Sequence, residues 1–231
     1  MRIDKLLANK AYGSRKEVHQ LIKRGLVTVN DVVVKKKDQA VNLESDIVVV
    51  NSELVNYQME YYIKLHKPQG YITAVEDPSH PVVMDLLPPE YKKLGVFPVG
   101  RLDKDTEGLL LLTNDGIWGH SIINGHKSVP KVYYLRYDGE LSQEGLERIR
   151  EGIVLGDGTQ CKAAQLELLG PGEGHITIEE GKYHQVKRMV GAVGGTVTYL
   201  KRLTVGGIDL TGIEEPNTFL ELSDDEVELF R

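Results

Sequence analysis

The chain has 231 residues, room for one large domain or two ordinary ones, and its 41% hydrophobic and 27% charged residues are the balance of a soluble globular protein. The longest apolar runs, such as Leu109–Leu112, are far too short to span a bilayer, and the opening MRIDKLLANK lacks the apolar region of a secretory signal. The single cysteine, Cys161, excludes an intrachain disulfide and has no His or Cys at metal-ligand spacing, so it reads as a packed thiol in a cytoplasmic protein. A net charge of -6 argues against a nucleic-acid partner, but residues 1–57 hold ten Lys/Arg against seven Asp/Glu (+3), leaving 18 against 27 (-9) for the remainder. Phosphates respond to the local field, so a basic segment on an acidic chain stays compatible with binding them.

In chain order, Ile3, Leu6 and Leu7 line a short helix that Gly13 breaks. Ser14 with Glu17 three residues on is a capping-box pattern, and it predicts a second helix with Val18, Leu21 and Ile22 on one face. Arg15, Lys16, Lys23 and Arg24 fall outside that apolar stripe, and Gly25 ends the helix. Leu26–Val29, the turn Asn30-Asp31 and Val32–Val34 read as a hairpin, with Lys35–Lys37 after it and a further strand at Ile47–Val50. Residues 51–60 are polar and irregular, which places a linker there and domains at 1–57 and 58–231. Beyond it, strands are predicted at Tyr62–Leu65, Tyr71–Thr73, Val96–Val99, Leu109–Thr113, Lys131–Tyr137, Gln165–Leu169, His175–Ile178 and Thr196–Leu203. Helices are predicted at Ser142–Glu151 and Tyr183–Val193. Strands outnumber helices without βαβ alternation, so the fold class is α+β, with a mixed or antiparallel sheet and flanking helices.

Basic residues on one helical face can follow a phosphate backbone without reading sequence, although charges alone describe a solvated face equally well. The order of residues decides between them. The run R-x-D-K-L-L-A, followed by S-R-K-E-V-x-x-L-I-K-R-G-x-V-x-V-N, resembles the S4 (α-L) RNA-binding domain over roughly residues 1–50. That resemblance implies RNA contacts from Arg15, Lys16, Lys23 and Arg24, with Lys35–Lys37 less firmly assigned.

In the second segment, Arg101-Leu102-Asp103 follows an apolar stretch and precedes Asp105, Thr106, Glu107, Gly108 and four leucines. A lone aspartate in such a place is usually a turn or cap residue, and composition does not separate Asp103 from Asp105. The whole stretch, GRLDKDTEGLLLLTNDG, resembles the signature of the RsuA family of pseudouridine synthases. Four further stretches match that family in order: Lys67-Pro68-x-Gly70, Lys131-Val132-Tyr133, Glu180 to Met189 (EGKYHQVKRM), and Arg202 to Gly207 (RLTVGG). With the S4 segment, the resemblance spans nearly the whole chain.

The resemblance implies an isomerase that breaks the N-glycosidic bond of a uridine, turns the base and rejoins it through carbon. It implies no metal and no cofactor, and the chain offers no Cys/His cluster, P-loop or dinucleotide fingerprint. Asp103 takes the catalytic position, as nucleophile or as base at the ribose. Lys187 is the expected cation beside it, with Arg188 as the alternative. Tyr133 would stack on the uracil and serve in proton transfer, while Tyr134 would point to the other face of the strand. Lys67, Arg101, Arg188 and Arg202 are expected to contact RNA; His184 and Gln185 are expected to orient the site. The expected partner is ribosomal RNA, as a small-subunit assembly intermediate, with no membrane and a monomeric chain. Ile117-Trp118-Gly119-His120 after the Asn114-Asp115-Gly116 turn resembles the small-subunit (16S, uridine-516 type) branch of the family. Large-subunit (23S) RNA and a non-catalytic RNA-binding assembly protein are the alternatives.

Overall fold

The computed structural model describes the chain except residues 44, 56–59 and 125–127. It divides into two compact units, Met1–Glu60 with Pro89–Gly95, and Tyr61–Pro88 with Val96–Arg231. The expected 57/58 boundary lies outside the described residues.

The smaller unit holds helices α1 (Ile3–Asn9), α2 (Arg15–Lys23) and α3 (Pro89–Lys93) and strands β1 (Val27–Val29), β2 (Val32–Val33), β3 (Val48–Val50) and β4 (Glu53–Leu54). The strands pair antiparallel in the order β2-β1-β3-β4. Ser14 and Glu17 form both halves of the capping box that starts α2. Asn30 (φ 50°) and Asp31 (φ 64°) take the left-handed turn that a two-residue hairpin needs, which Asn and Asp tolerate. Ile3, Leu6 and Leu7 of α1 and Val18 and Ile22 of α2 bury against Val27, Val29, Val48 and Val50, at roughly 1.5–3 kcal/mol for each large side chain. β4 lies inside the stretch expected to be an irregular linker.

In the first turn of α1, the buried Asp4 carboxylate accepts from Arg2 Nε (3.0 Å) and Nη2 (2.8 Å), and His19 Nε2 lies 3.5 Å away. The Arg2 hydrogen bonds outweigh the opposing effect of burial and bring its pKa down to about 2. A carboxylate depressed by folding stabilises the unit fully above the unfolded carboxylate range, and that contribution drains away as pH falls towards 2. Asp4→Asn is therefore expected to cost about 1 kcal/mol at pH 7 and to flatten the acid dependence between pH ~4 and ~2. Urea unfolding at pH 7 and pH 3 reads both effects.

The larger unit is built on an eight-stranded sheet among the described residues. Its strands are β5 (Tyr62–Lys67), β6 (Phe97–Val99), β7 (Glu107–Thr113), β8 (Lys131–Asp138), β9 (Gln165–Gly170), β10 (Glu173–Ile178), β11 (Thr196–Val205) and β12 (Phe219–Glu221). The order is β12-β5-β7-β11-β8-β10-β9, with β6 added beside β7. Every pairing is antiparallel except β7 with β11, so the sheet is mixed and the class is α+β, as expected. Helices α4 (Gly116–Asn124), α5 (Gln143–Glu151), α6 (Gln185–Gly191) and α7 (Asp224–Glu228) complete the unit. Leu109–Leu112 are wholly buried, which explains an unbroken leucine run in place of alternation: β7 is central and covered on both faces.

Two expectations need correction. Tyr71–Thr73 is not a strand; it makes one bridge, Ile72 to Val82, because the opposing segment contains Pro81, which accepts from Ile72 but cannot donate. Residues 114–116 are not a free turn either. Asp115 caps α4, its Oδ1 accepting from the N–H of Ile117 (2.9 Å) and Trp118 (3.1 Å). Trp118 is then buried in the core, edge-on to Tyr62 and Phe230, with Nε1 donating to Val227 O. No helix among the described residues is long and apolar enough to cross a membrane.

Candidate active site

Asp103 sits in the connection between β6 and β7, and three devices shape that connection. Thr73 Oγ1 donates to Leu102 O (2.7 Å) and accepts from Leu102 N–H (3.0 Å), clamping the residue before it. The N–H of Thr106 returns to Asp103 O (3.1 Å), closing a turn. Beneath the turn lies Lys67, the last residue of β5. The three hydrogens of its ammonium are shared among four carbonyls within hydrogen-bonding distance: Thr106 (2.8 Å), Asp103 (3.0 Å), Pro68 (3.0 Å) and Lys104 (3.4 Å). Burial is the largest influence on Lys67 and brings its pKa down to about 8, against the opposing charges of Asp105, Asp103 and Glu107.

Lys67 therefore corrects a sequence expectation. It is 0% exposed and committed to the loop from below, so it has no reach to an RNA phosphate. Arg202, also expected at the RNA, is 4% exposed, with Nε donating to Leu109 O at 2.7 Å. Neither presents a cation on the protein surface. Arg101, Arg15, Lys16, Lys23, Arg24 and Lys35–Lys37 are all exposed.

The Asp103 side chain is 28% exposed and meets two groups from the β10–β11 connection. Lys187 Nζ, on α6, lies 3.1 Å from Oδ2, and His184 Nε2, at the start of that helix, lies 3.4 Å from Oδ1. Lys187 also reaches Asp105 Oδ1 at 2.5 Å, so one ammonium serves both carboxylates that composition left undivided. Burial works against the Lys187 charge, but the hydrogen bonds it donates to Asp105 and Asp103 outweigh it and hold its pKa above the usual lysine range. Asp105 is the counterpart: burial opposes its charge, and the Lys187 hydrogen bond still holds its pKa below the usual carboxylate value. Arg188, the alternative partner, turns away and pairs with Asp157 Oδ1 at 2.5 Å. Asp105 differs from Asp103 in exposure, 70% against 28%. Of the two, Asp103 is the one placed in a partly dry setting.

Tyr133 arrives by sheet register. Gly108 of β7 lies opposite Arg202 of β11, and Arg202 lies opposite Tyr133 of β8. The β7–β11 approach is close at that point: a Cβ on Gly108 (φ 108°) would sit 2.2 Å from Arg202 O, which only glycine avoids. The Tyr133 ring is buried, with Arg202 Nη1 at 3.5 Å from its hydroxyl. Tyr134 points to the other face, where its hydroxyl meets Glu173 at 2.6 Å. Thr73 is a site residue that the sequence does not single out, because it carries no motif; Asp105, an alternative to Asp103 by composition, shows its part as the second carboxylate on Lys187 only once α6 folds over it.

Residues 61–192 match the family model described as RNA pseudouridylate synthase, and residues 1–48 match the S4 domain. Over 99% of its length the chain is 42% identical to an uncharacterized RNA pseudouridine synthase, YtzG, of Bacillus subtilis (strain 168), covering 98% of that protein. It is 34% identical to the ribosomal small subunit pseudouridine synthase A of Escherichia coli (strain K12), over 98% of each chain. A crystal structure of a pseudouridylate synthase superposes over all of both chains with a TM-score of 0.70 and 31% identity.

Proposed function

The chain belongs to the RNA pseudouridylate synthase family, as an isomerase of the RsuA type, and from that premise we propose that it converts one uridine of small-subunit (16S) ribosomal RNA, of the uridine-516 type, to pseudouridine at Asp103. The observation that carries the assignment of the reacting group is the Asp103–Lys187 pair, 3.1 Å apart, with Asp103 on a loop held from below by Lys67 and Lys187 on α6. Lys187 Nζ faces Asp103 Oδ2 while Asp105 holds Lys187 in place, so the carboxylate is fixed in a half-buried setting from which a nucleophile or base can act. The N1–C1′ bond breaks, the uracil turns, and C5 bonds to C1′; the proton that leaves C5 is balanced by the one N1 gains. Tyr133 takes the uracil against its ring, and its hydroxyl relays the C5 proton, passing its own proton on as it accepts. The target must leave its stack to reach Asp103, at a cost of about a few kcal/mol. The S4 module, residues 1–57, offsets part of that cost by holding structured RNA through Arg15, Lys16, Lys23 and Arg24, and residues 58–231 carry the chemistry.

The substrate assignment leans on the relatives described as small-subunit enzymes, because Trp118, the centre of the stretch that resembled that branch, is a core residue. A ribosomal RNA substrate in assembly suits a cytoplasmic enzyme, and a separate RNA-binding module suits a monomer. Mapping pseudouridine in both ribosomal RNAs of a deletion strain tests it. One modification absent from the small-subunit RNA is expected; loss confined to the large-subunit RNA would reassign the substrate.

A further inference from the structure

Tyr183 is an aromatic side chain left 76% exposed beside the candidate active site. Its ring lies flat on the His184 imidazole, with centroids 3.9 Å apart and planes 15° from parallel. His184 in turn stands 3.4 Å from the Asp103 carboxylate. One face of Tyr183 is thus backed by a second ring, and the exposure leaves the other face to solvent.

The local backbone is arranged to present this pair. His184 has φ 47°, in the left-handed region that histidine enters more readily than most non-glycine residues. Hydrogen bonds hold the turn: the Gln185 N–H donates to Lys182 O (3.1 Å), the Lys182 N–H donates to Gln185 Oε1 (2.9 Å), and Gln185 Nε2 donates to Glu180 Oε1 (2.7 Å). Arg188 Nη1 fixes the next step by donating to Tyr183 O (3.2 Å). Removing a uridine from a stack leaves its neighbour with an uncovered face, and an aromatic side chain is the chemical group that replaces a lost base.

We propose that the Tyr183–His184 stack is the platform for the base adjoining the target uridine. Tyr183 then helps to select RNA whose target nucleotide has left the stack, and it acts on binding rather than on the bonds that change. The proposal rests on the reading of Asp103 as the reacting group.

The test uses the full chain and small-subunit RNA fragments carrying 2-aminopurine on either side of the mapped uridine. Wild type and Tyr183→Phe are expected to quench the fluorescence of one of the two probes, and Tyr183→Leu to lose that quenching. With unlabelled RNA, Tyr183→Leu should raise KM about tenfold, the scale of one base–aromatic stack, with kcat within about twofold of wild type. Unchanged quenching and KM in Tyr183→Leu would overturn the proposal. So would a fall in kcat at constant KM, which would place the ring in the chemistry. Quenching is read without turnover, so its failure counts against the platform, whereas failure of wild type to form pseudouridine counts against the proposed reaction.

Discussion

Asp103→Asn is expected to bind ribosomal RNA as wild type does and to form pseudouridine at least about a thousandfold more slowly, the scale set by removing a group that attacks or takes a proton in the rate-limiting step. Asparagine keeps the shape of the side chain and can still accept from Lys187, so the loop and α6 keep their places. What it removes is the negative charge and the nucleophilic oxygen. The parallel variant Asp105→Asn discriminates the two carboxylates on the Lys187 ammonium. It loses only the support given to Lys187, and it should retain measurable turnover. Substantial activity in Asp103→Asn, with Asp105→Asn dead, would move the chemistry to Asp105.

The second large effect is expected from a residue that touches no substrate. Lys67→Met keeps the apolar stem of the side chain but withdraws the charged donor from four carbonyls of the connection that carries Asp103. Buried carbonyls left without a donor cost free energy, and hydrogen bonds to a charged group are among the stronger ones, so a loss of about 3 kcal/mol or more is expected. Urea unfolding measures that loss. Turnover should fall with it at a temperature where the variant is still folded, because Asp103 is no longer fixed opposite Lys187. Normal stability together with normal turnover would mean that the loop does not depend on Lys67.

Some of this was legible in the residues alone. The spacing of Ser14 and Glu17 announced the start of α2, and the leucine run announced a buried strand, because capping and burial are local in sequence. The pairing of Asp103 with Lys187 rested on resemblance, since no periodicity links residues so far apart. The direction of Lys67 was not legible. A lysine before a Pro-x-Gly turn looks like a surface cation, and only the return of residues 103–106 over the end of β5 turns it into an internal donor. α4 was missed because its capping residue, Asp115, reads equally well as part of a turn, and because Gly116 and Gly119 dilute the helical pattern around Trp118 and Ile122. Tyr183 reads in the sequence only as a motif position and the start of a helix, for the opposite reason. Exposure is invisible in a motif, and a tyrosine beside a histidine shows no stacking until the backbone of His184 takes its left-handed turn.

The central claim is that this protein replaces the bond from C1′ to N1 of a uridine with one to C5. Release of tritium from small-subunit ribosomal RNA transcripts labelled at C5 of uridine reads that event directly. Wild type is expected to release about one equivalent per transcript, by the chemistry of one modified site, and Asp103→Asn to release none over the same period. Binding of the transcript by wild type without release of tritium would contradict the account.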